Sequence, residues 1–462
     1  MPLGLYISVP FCRTKCTFCN FASGVTSRAV YARYVDRVCA DIARSREIAD
    51  EMAGRLEPRV DSIYVGGGTP SVLDSTDLER LFAAVRAEFQ VDSQAEVTVE
   101  CAPGTLEPQV LEALLRCGVN RVSLGVQSFV DEEAASVGRL HTRAVVLEDL
   151  ANLRAAGITN ISLDLIAGLP HQTPESWRYS VEETIASGVP HASVYMLEVD
   201  DESRLGRELI AGRTRYHAHF VPDDDTTADF YLAACDVFEA AGLRQYEISN
   251  FARETQCLPS SRGDGRPRPS GGALAPLTTS DFPGFCSRHN LKYWTRQPYL
   301  GFGVDAHSML VARDQKTTRA AVERDITEYL EHAPNFGGSR ESADSNFYHR
   351  LGVESVRFST PDSLERYLAG GPPVRSPVSF VKALEESYFL GLRLNRGLVP
   401  SELAQRFGPE AATLYREVIA ELRQAGLLEL TGGAIRLTRR GRLLSNEVFE
   451  KFLADHDLVG PA

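Results

Sequence analysis

Short apolar runs of β type alternate with helical stretches over roughly the first 200 residues of this 462-residue chain. Such alternation predicts parallel strands joined by right-handed crossovers, because parallel neighbours need a long connection. Six units predict an α/β fold, a barrel or partial (βα)6-type barrel, and leave a doubly wound open sheet as the alternative. The predicted strands are Leu3–Val9, Asp61–Val65, Glu96–Val99, Arg121–Leu124, Asn160–Leu165 and His191–Met196. The predicted helices between them are Tyr31–Ala43, Asp77–Phe89, Glu107–Cys117, Ala144–Ala156 and Pro174–Ser187.

The rest of the chain changes composition several times. A helix over Ala228–Ala241 and a strand around Tyr246–Ile248 precede a segment, 255–283, whose Pro, Gly, Ser and Arg content predicts a flexible insertion. Gly370–Pro377 is typical of a linker, and the helices and hairpin after it predict a winged-helix-like module. Those C-terminal elements are Phe380–Leu390, Ser401–Phe407, Leu414–Ala425, Leu427–Leu430 and Ala434–Leu437. The predicted domains are a barrel over 1–225, an extension over 226–370 and the C-terminal module over 376–455.

Charge and cysteine content exclude several classes of protein. A formal net charge of −13 argues against nucleic acid as the main ligand, since phosphate binding needs a basic face. No apolar run reaches membrane-spanning length, and the N-terminus lacks the pattern of a signal peptide. Nine cysteines, an odd number in a long chain, do not indicate a secreted disulfide framework. These observations predict a cytoplasmic protein.

Cys12, Cys16 and Cys19 form a Cys-x3-Cys-x2-Cys motif directly after the first predicted strand. Catalytic loops of β/α barrels lie at the carboxyl ends of the strands, which is where this motif falls. Three thiolates suit a [4Fe-4S] cluster with one iron left open for a small molecule. A structural zinc site is the alternative, but it normally adds a fourth Cys or His nearby, and the first His is His141.

Glycines and acidic residues follow the next two strands. Gly66-Gly67-Gly68-Thr69-Pro70 comes after the second strand, where glycines would let the backbone approach a ligand closely. A tight strand-to-helix turn would use the same residues. Glu100 ends the third strand and could bind an ammonium group or hydroxyls, or could be a solvated charge.

Polar side chains also accompany the fourth and fifth strands. Gln127 follows the fourth strand, and Arg139 lies a short distance beyond it. Asp164 interrupts an apolar strand, where an unpaired charge is costly. We therefore expect Asp164 to face a ligand or Arg139, with a purely structural ion pair as the alternative.

The cysteine motif, Gly-Gly-Gly-Thr-Pro, Gly-Val-Gln-Ser-Phe and Asp-Leu-Ile-x-Gly-Leu-Pro together resemble the radical S-adenosylmethionine (SAM) superfamily, and within it the oxygen-independent coproporphyrinogen III oxidase-like family. The resemblance covers about residues 3–310 and extends weakly to the C-terminal module. It implies a radical SAM barrel whose [4Fe-4S] cluster chelates SAM through its open iron and cleaves it reductively. By this resemblance, three residues would hold the cluster-bound SAM, namely Tyr6, Gly67 and Glu100. The residues that match a second SAM site are Phe18, Gly68, Thr69, Gln127, Arg139 and Asp164.

Two features distinguish subfamilies. Phe21 occupies the position where the oxidase type has a further cysteine. His289-Asn-Leu-Lys-Tyr-Trp294 has the form H-N-x-x-Y-W, which resembles the signature of HemW-type heme chaperones. Histidine is a common axial ligand of heme iron, so His289 is the candidate heme ligand. A His beside aromatic residues is also a common structural arrangement, and His307 is a weaker second candidate.

The resemblance implies a heme carrier that uses SAM and a cluster and delivers heme to an unidentified acceptor protein, with peripheral membrane contact through that acceptor. The alternatives are oxygen-independent coproporphyrinogen III oxidase or a radical SAM methyltransferase. A DNA-binding role for the C-terminal module is disfavoured by the acidic chain. The catalytic residues and the oligomeric state are left open, and the insertion before His289 predicts a mobile lid or docking segment.

Overall fold

Six parallel strands form the centre of the sheet in the computed structural model, which describes residues 1–201, 203–212, 215–254, 282–313 and 352–453. They are β1 (Leu3–Val9), β2 (Arg59–Gly67), β3 (Gln90–Cys101), β4 (Arg121–Gln127), β5 (Asn160–Ala167) and β6 (His191–Met196). Each strand pairs with the next one in parallel register. The predicted β/α alternation is therefore confirmed. All but two residues of 255–283 lie outside the described ranges, so the predicted insertion stays a prediction.

Further strands extend this sheet at both ends. They are β7 (Arg244–Gln245), β8 (Asn250–Ala252), β9 (Tyr299–Phe302), β10 (His307–Val311), β11 (Val353–Ser359) and β12 (Val374–Ser379). The order is β12-β11-β10-β9-β1-β2-β3-β4-β5-β6-β8-β7, with β9 parallel to β1 and the other added pairs antiparallel. Over the described residues the sheet has two free ends, so it is a partial barrel rather than a closed one. The Tyr34 hydroxyl donates to the Ser8 carbonyl (2.6 Å) and accepts from the Val304 amide (3.0 Å), which ties β1 to the turn after β9.

Helices connect the parallel strands, and several begin at recognisable caps. The Asp74 carboxylate accepts from the Asp77 amide, and Thr173 with Ser176 forms a capping box at the start of the helix that begins at Pro174. The helices before the C-terminal region are Arg28–Ala43, Ser45–Glu51, Ser75–Glu88, Pro108–Arg116, Asp131–Ser136, Arg143–Ala155, Pro174–Ala186, Arg204–Ala211, Asp224–Ala240, Arg288–Trp294 and Leu364–Leu368. None of the described helices is long and apolar enough to cross a membrane.

The C-terminal region has the predicted order of helices followed by a hairpin. Its helices are Phe380–Arg393, Pro400–Phe407, Arg416–Gln424, Arg439–Leu443 and Ser445–Glu450, and its hairpin strands are β13 (Leu428–Thr431) and β14 (Ala434–Leu437). Gly432 and Gly433 both have positive φ (61° and 81°), as a two-residue hairpin turn requires. Tyr388, Tyr415 and Phe452 pack together in a core of their own. This core explains why the region forms a compact module.

Two local predictions were wrong. Tyr246–Ile248 is not a strand but the turn between β7 and β8, closed by a hydrogen bond from the Tyr246 amide to the Asn250 carbonyl (3.1 Å). The predicted linker Gly370–Pro377 contains the start of β12, which pairs with β11. Proline is tolerated there because β12 is an edge strand, where a missing N–H donor need not break a ladder.

Candidate functional site

The three cysteines lie on a loop whose two ends are joined by backbone hydrogen bonds. The Cys12 amide donates to the Gly24 carbonyl (3.0 Å), and the Gly24 amide donates to the Pro10 carbonyl (2.9 Å). Cys12 and Cys16 are buried, and Cys19 is half-buried. The loop therefore begins at the carboxyl end of β1 and returns to it, as its position in the sequence predicts.

Each thiol has its own hydrogen-bond partner. Thr69 Oγ1 donates to Cys12 Sγ (3.7 Å), and Arg139 Nη1 donates to Cys16 Sγ (3.6 Å). Cys19 Sγ lies 3.9 Å from the Ser23 hydroxyl. Burial raises the pKa of the Cys12 thiol, and the Thr69 donor opposes that shift. No three His, Cys, Asp or Glu side chains of the described ranges are arranged as a preformed set of metal ligands.

The glycine turn after β2 packs directly against the start of the cysteine loop. The Gly68 amide donates to the Val9 carbonyl (2.9 Å), and the Thr69 amide donates to the Phe11 carbonyl (2.8 Å). A Cβ at Gly68 would lie 2.8 Å from both of those carbonyl oxygens. Glycine is therefore required here for the close approach of two segments of the chain.

Glu100 occupies the carboxyl end of β3 and accepts two hydrogen bonds. They come from the Tyr64 hydroxyl (2.7 Å) and from the Gly67 amide (3.1 Å), and Gly67 has a φ of 101°. Burial, together with the nearby charge of Asp164, raises the pKa of Glu100 to about 7. Tyr6 lies on β1, which pairs with β2, and its ring is 6.2 Å from the ring of Tyr64. The predicted residues Tyr6, Gly67 and Glu100 are therefore brought together.

Asp164 forms no ion pair with Arg139 in the described part of the chain, so the purely structural ion pair, the alternative to a ligand-facing role, is not the arrangement found there. Asp164 instead accepts from the Ser123 hydroxyl (2.9 Å) and the Ser162 hydroxyl (3.2 Å). Burial raises the pKa of Asp164, and these hydroxyl donors oppose the shift. Arg139 donates to the Gly125 carbonyl as well as to Cys16, and its Nε is buried without a partner in the described part of the chain. One N–H of Arg139 is thus available to an acceptor group of a ligand.

Two other predicted residues also lie at this end of the sheet. Gln127, the last residue of β4, has a φ of 68°, a conformation unusual for a residue with a side chain. Phe18, on the cysteine loop, packs with Val137, Ile166 and Leu169. Both residues are half-buried, so each has part of its side chain facing solvent.

His289 lies in the interior of the protein, and both of its ring nitrogens have partners. Nδ1 is 3.1 Å from the Ser62 hydroxyl and Nε2 is 2.9 Å from the Tyr293 hydroxyl, while only 1% of the residue is exposed. Burial, with the charge of Lys292, lowers the pKa of His289 to about 3. The ring centre of Trp294, at the end of the same motif, lies 4.1 Å from the guanidinium carbon of Arg393 in the C-terminal module. The motif therefore links the sheet to that module.

His307, the weaker heme candidate, is exposed at the start of β10 and lies 3.7 Å from Asp305. It forms no part of the network around His289 in the described residues.

Sequence reasoning missed several residues around the site. The partners of the two acidic side chains are Tyr64, Ser123 and Ser162, and the two serines carry no sequence signal of their own. The helix Arg204–Ala211 was also missed. With Lys15, its Arg204 and Arg207 line a cavity of about 390 Å³ beside Cys19, and Asp200 contributes an acidic group.

Comparisons with known proteins agree with this geometry. A family model described as the Radical SAM superfamily matches residues 6–183, and one described as the HemN C-terminal domain matches residues 382–444. The chain is 30% identical to heme chaperone HemW of Lactococcus lactis, over 98% of both chains. It is 29% identical to heme chaperone HemW of Bacillus subtilis, over 97% of this chain and 99% of that one.

The chain belongs to the heme chaperone HemW family. Among solved structures, coproporphyrinogen III oxidase (HemN) from Escherichia coli superimposes with a TM-score of 0.70 at 22% identity, covering 98% of this chain and 90% of that one. This similarity confirms the radical SAM fold and the C-terminal module. At 22% identity, this superposition supports a conclusion about the fold and not about the function.

Proposed function

We propose that this chain is a heme chaperone that binds heme, carries a [4Fe-4S] cluster with SAM, and transfers heme to an acceptor protein. The observation that carries the proposal is the similarity, over almost the whole chain, to proteins named heme chaperone HemW. Phe21 supports it against the oxidase alternative, because a phenylalanine cannot replace the further cysteine of that subfamily. Its side chain is 63% exposed.

We assign the cluster to Cys12, Cys16 and Cys19. The donors of Thr69 and Arg139 suit this role, since hydrogen bonds to sulfur favour the thiolate form that ligates iron. When bound, the cluster supplies an electron and an open coordination position for SAM. Because the three thiols must remain reduced to accept iron, we place the protein in the cytoplasm.

We assign the cluster-bound SAM to the surroundings of Tyr6, Gly67 and Glu100. A buried carboxylate whose pKa is about 7 favours a cationic group or an N–H donor beside it, and the amino group of SAM offers both. The residues assigned to a second SAM site are Phe18, Gly68, Thr69, Gln127, Arg139 and Asp164. The Nε of Arg139 has no partner in the described part of the chain, which supports a hydrogen-bond acceptor of the second SAM beside Arg139.

The cavity beside Cys19 suits a carboxylate ligand. Lys15, Arg204 and Arg207 contribute positive charge there, and heme carries two propionate groups. We therefore propose that a propionate binds in this cavity during heme uptake.

The deciding experiment is an anaerobic titration of the cluster-reconstituted protein with heme, followed by its absorption spectrum. We expect saturable uptake of about one heme per chain and transfer to an acceptor protein supplied in its heme-free form. Conversion of coproporphyrinogen III by the same preparation, without heme uptake, would replace the proposal by the oxidase alternative.

A further inference from the structure

Two histidines outside the sites assigned above form a pair beside the cysteine loop. His171 follows β5, and His217 precedes the 3-10 turn Ala218–Phe220. Nε2 of His171 lies 3.1 Å from Nδ1 of His217, and the ring centroids are 5.0 Å apart at an angle of 65°. The pair joins two segments that are 46 residues apart in sequence.

The backbone holds this pair in place. The His171 amide donates to the Phe220 carbonyl (3.1 Å), and the Phe220 amide donates to the His217 carbonyl (2.9 Å). The buried Glu208 carboxylate accepts from the amides of Tyr216 (2.6 Å) and Ala218 (3.3 Å). Both histidines have positive φ, 68° and 62°. Such backbone strain persists where the surrounding structure fixes it, and it is frequent at binding sites.

The hydrogen bond between the rings leaves one nitrogen ready to bind a metal. Two neutral imidazoles carry two N–H groups on four nitrogens, and one N–H is used between the rings. In either tautomeric arrangement, one outer nitrogen keeps its lone pair: Nε2 of His217 or Nδ1 of His171. Neither outer nitrogen has a hydrogen-bond partner among the described residues. When His217 donates, the hydrogen bond also fixes the orientation of its ring, as in metal sites where the other ring nitrogen donates a hydrogen bond.

The surroundings of the pair suit a porphyrin. The ring of Phe220 lies 4.1 Å from that of His171, and the residue is 48% exposed. Leu169, two residues before His171, packs with Phe18 of the cysteine loop. The helix Arg204–Ala211 connects the turn at His217, through Glu208, to the basic cavity at Arg204. Imidazole nitrogen, apolar surface and positive charge are the three features that heme binding uses.

We propose that the His171–His217 pair provides the axial nitrogen for heme iron, with Phe220 against the macrocycle. This assignment rests on the proposed heme chaperone function. His289 is the less suitable ligand, because both of its nitrogens are bonded and its ring is buried.

The test uses the full-length, cluster-reconstituted protein and a double substitution, His171→Asn with His217→Asn. Asparagine tolerates positive φ, so it preserves the turns while removing both ring nitrogens. Control variants are His219→Ala, an exposed neighbour of the pair, and His289→Ala. SAM binding by every variant reports that the barrel is intact.

We expect the double variant to bind heme at least tenfold more weakly, to lose the absorption spectrum of nitrogen-ligated heme, and to recover that spectrum on addition of free imidazole. The His219→Ala variant should match the wild type. Unchanged affinity and spectrum in the double variant would overturn the assignment, as would a loss confined to His289→Ala. If the wild-type protein itself takes up no heme, the proposed function fails instead.

Discussion

Replacing Glu100 by glutamine should weaken SAM binding more at pH 8 than at pH 6. The reason is the buried position of this carboxyl group between Tyr64 and Gly67, which raises its pKa to about 7. Raising the pH through 7 ionises Glu100 and strengthens its hydrogen bond to the amino group of SAM. Glutamine has the same shape as glutamate but does not titrate. The strength of its own hydrogen bond to SAM therefore does not change through ionisation of the side chain at position 100.

The magnitude follows from this pKa. About one tenth of Glu100 is ionised at pH 6 and about nine tenths at pH 8. The contribution of ionised Glu100 to the affinity for SAM therefore rises about tenfold, or by about 1.4 kcal/mol. At pH 8 the full loss should be about 10- to 150-fold, because a hydrogen bond to a charged group contributes about 1.5–3 kcal/mol. The amino group of SAM also titrates in this range. The ratio of the two Kd values, variant over wild type, cancels that contribution.

The assay is equilibrium binding of SAM to the anaerobic, cluster-reconstituted proteins at both pH values. Glu96→Gln is the matched control, because Glu96 is buried on the same face of β3 but binds the amides of Arg288 and His289. The ratio of the Kd of the Glu96→Gln variant to the Kd of the wild type should stay near one. A Glu100→Gln ratio that is the same at pH 6 and pH 8 would refute the reasoning, as would an equal trend in the Glu96 variant.

Three further outcomes are expected. Gly68→Ala should prevent cluster reconstitution, measured as iron and sulfide content, because its Cβ would meet two backbone carbonyls at 2.8 Å. Cys16→Ala should lose the cluster absorbance, whereas Cys235→Ala, in the helix Asp224–Ala240, should keep it. Glu354→Gln should lower the free energy of unfolding by about 3 kcal/mol at pH 7 and by less than half of that at pH 3, in urea titrations. Burial would raise the pKa of Glu354, but the charges of Arg296 and a neighbouring arginine hold it at about 2, so its stabilisation is lost as pH falls from 4.5 through 2.

The central strands could be predicted from the sequence because each is a short apolar run followed by a helix with a clear start. The strands β9 to β12 could not, since their pairing depends on segments far apart in the chain and on the antiparallel return of β10. Pro377 also argued against a strand, and only its place at the sheet edge removes that objection.

The candidate site was predictable where the motif residues follow consecutive strands. The partners of Asp164 were not, because the two serines that donate to it give no signal of their own. The burial of His289 depends on packing against Ser62 and Tyr293, which the motif does not reveal. The contact between His171 and His217 depends on two turns with positive φ, which no local pattern indicated.

β1 cannot acquire both of its neighbours until late in synthesis. It pairs with β2 on one side and with β9 on the other, and the latter is translated long after the cysteine loop has left the ribosome. The roughly 290 residues between Val9 and Tyr299 take about 15 to 60 s to synthesise at the usual elongation rates. During that interval the three thiols follow a strand that still lacks one of its two neighbours, and they are accessible to oxidants. Iron and sulfide delivery to this protein is therefore expected to follow the completion of the chain, and the nascent chain should be the form most easily inactivated by oxygen.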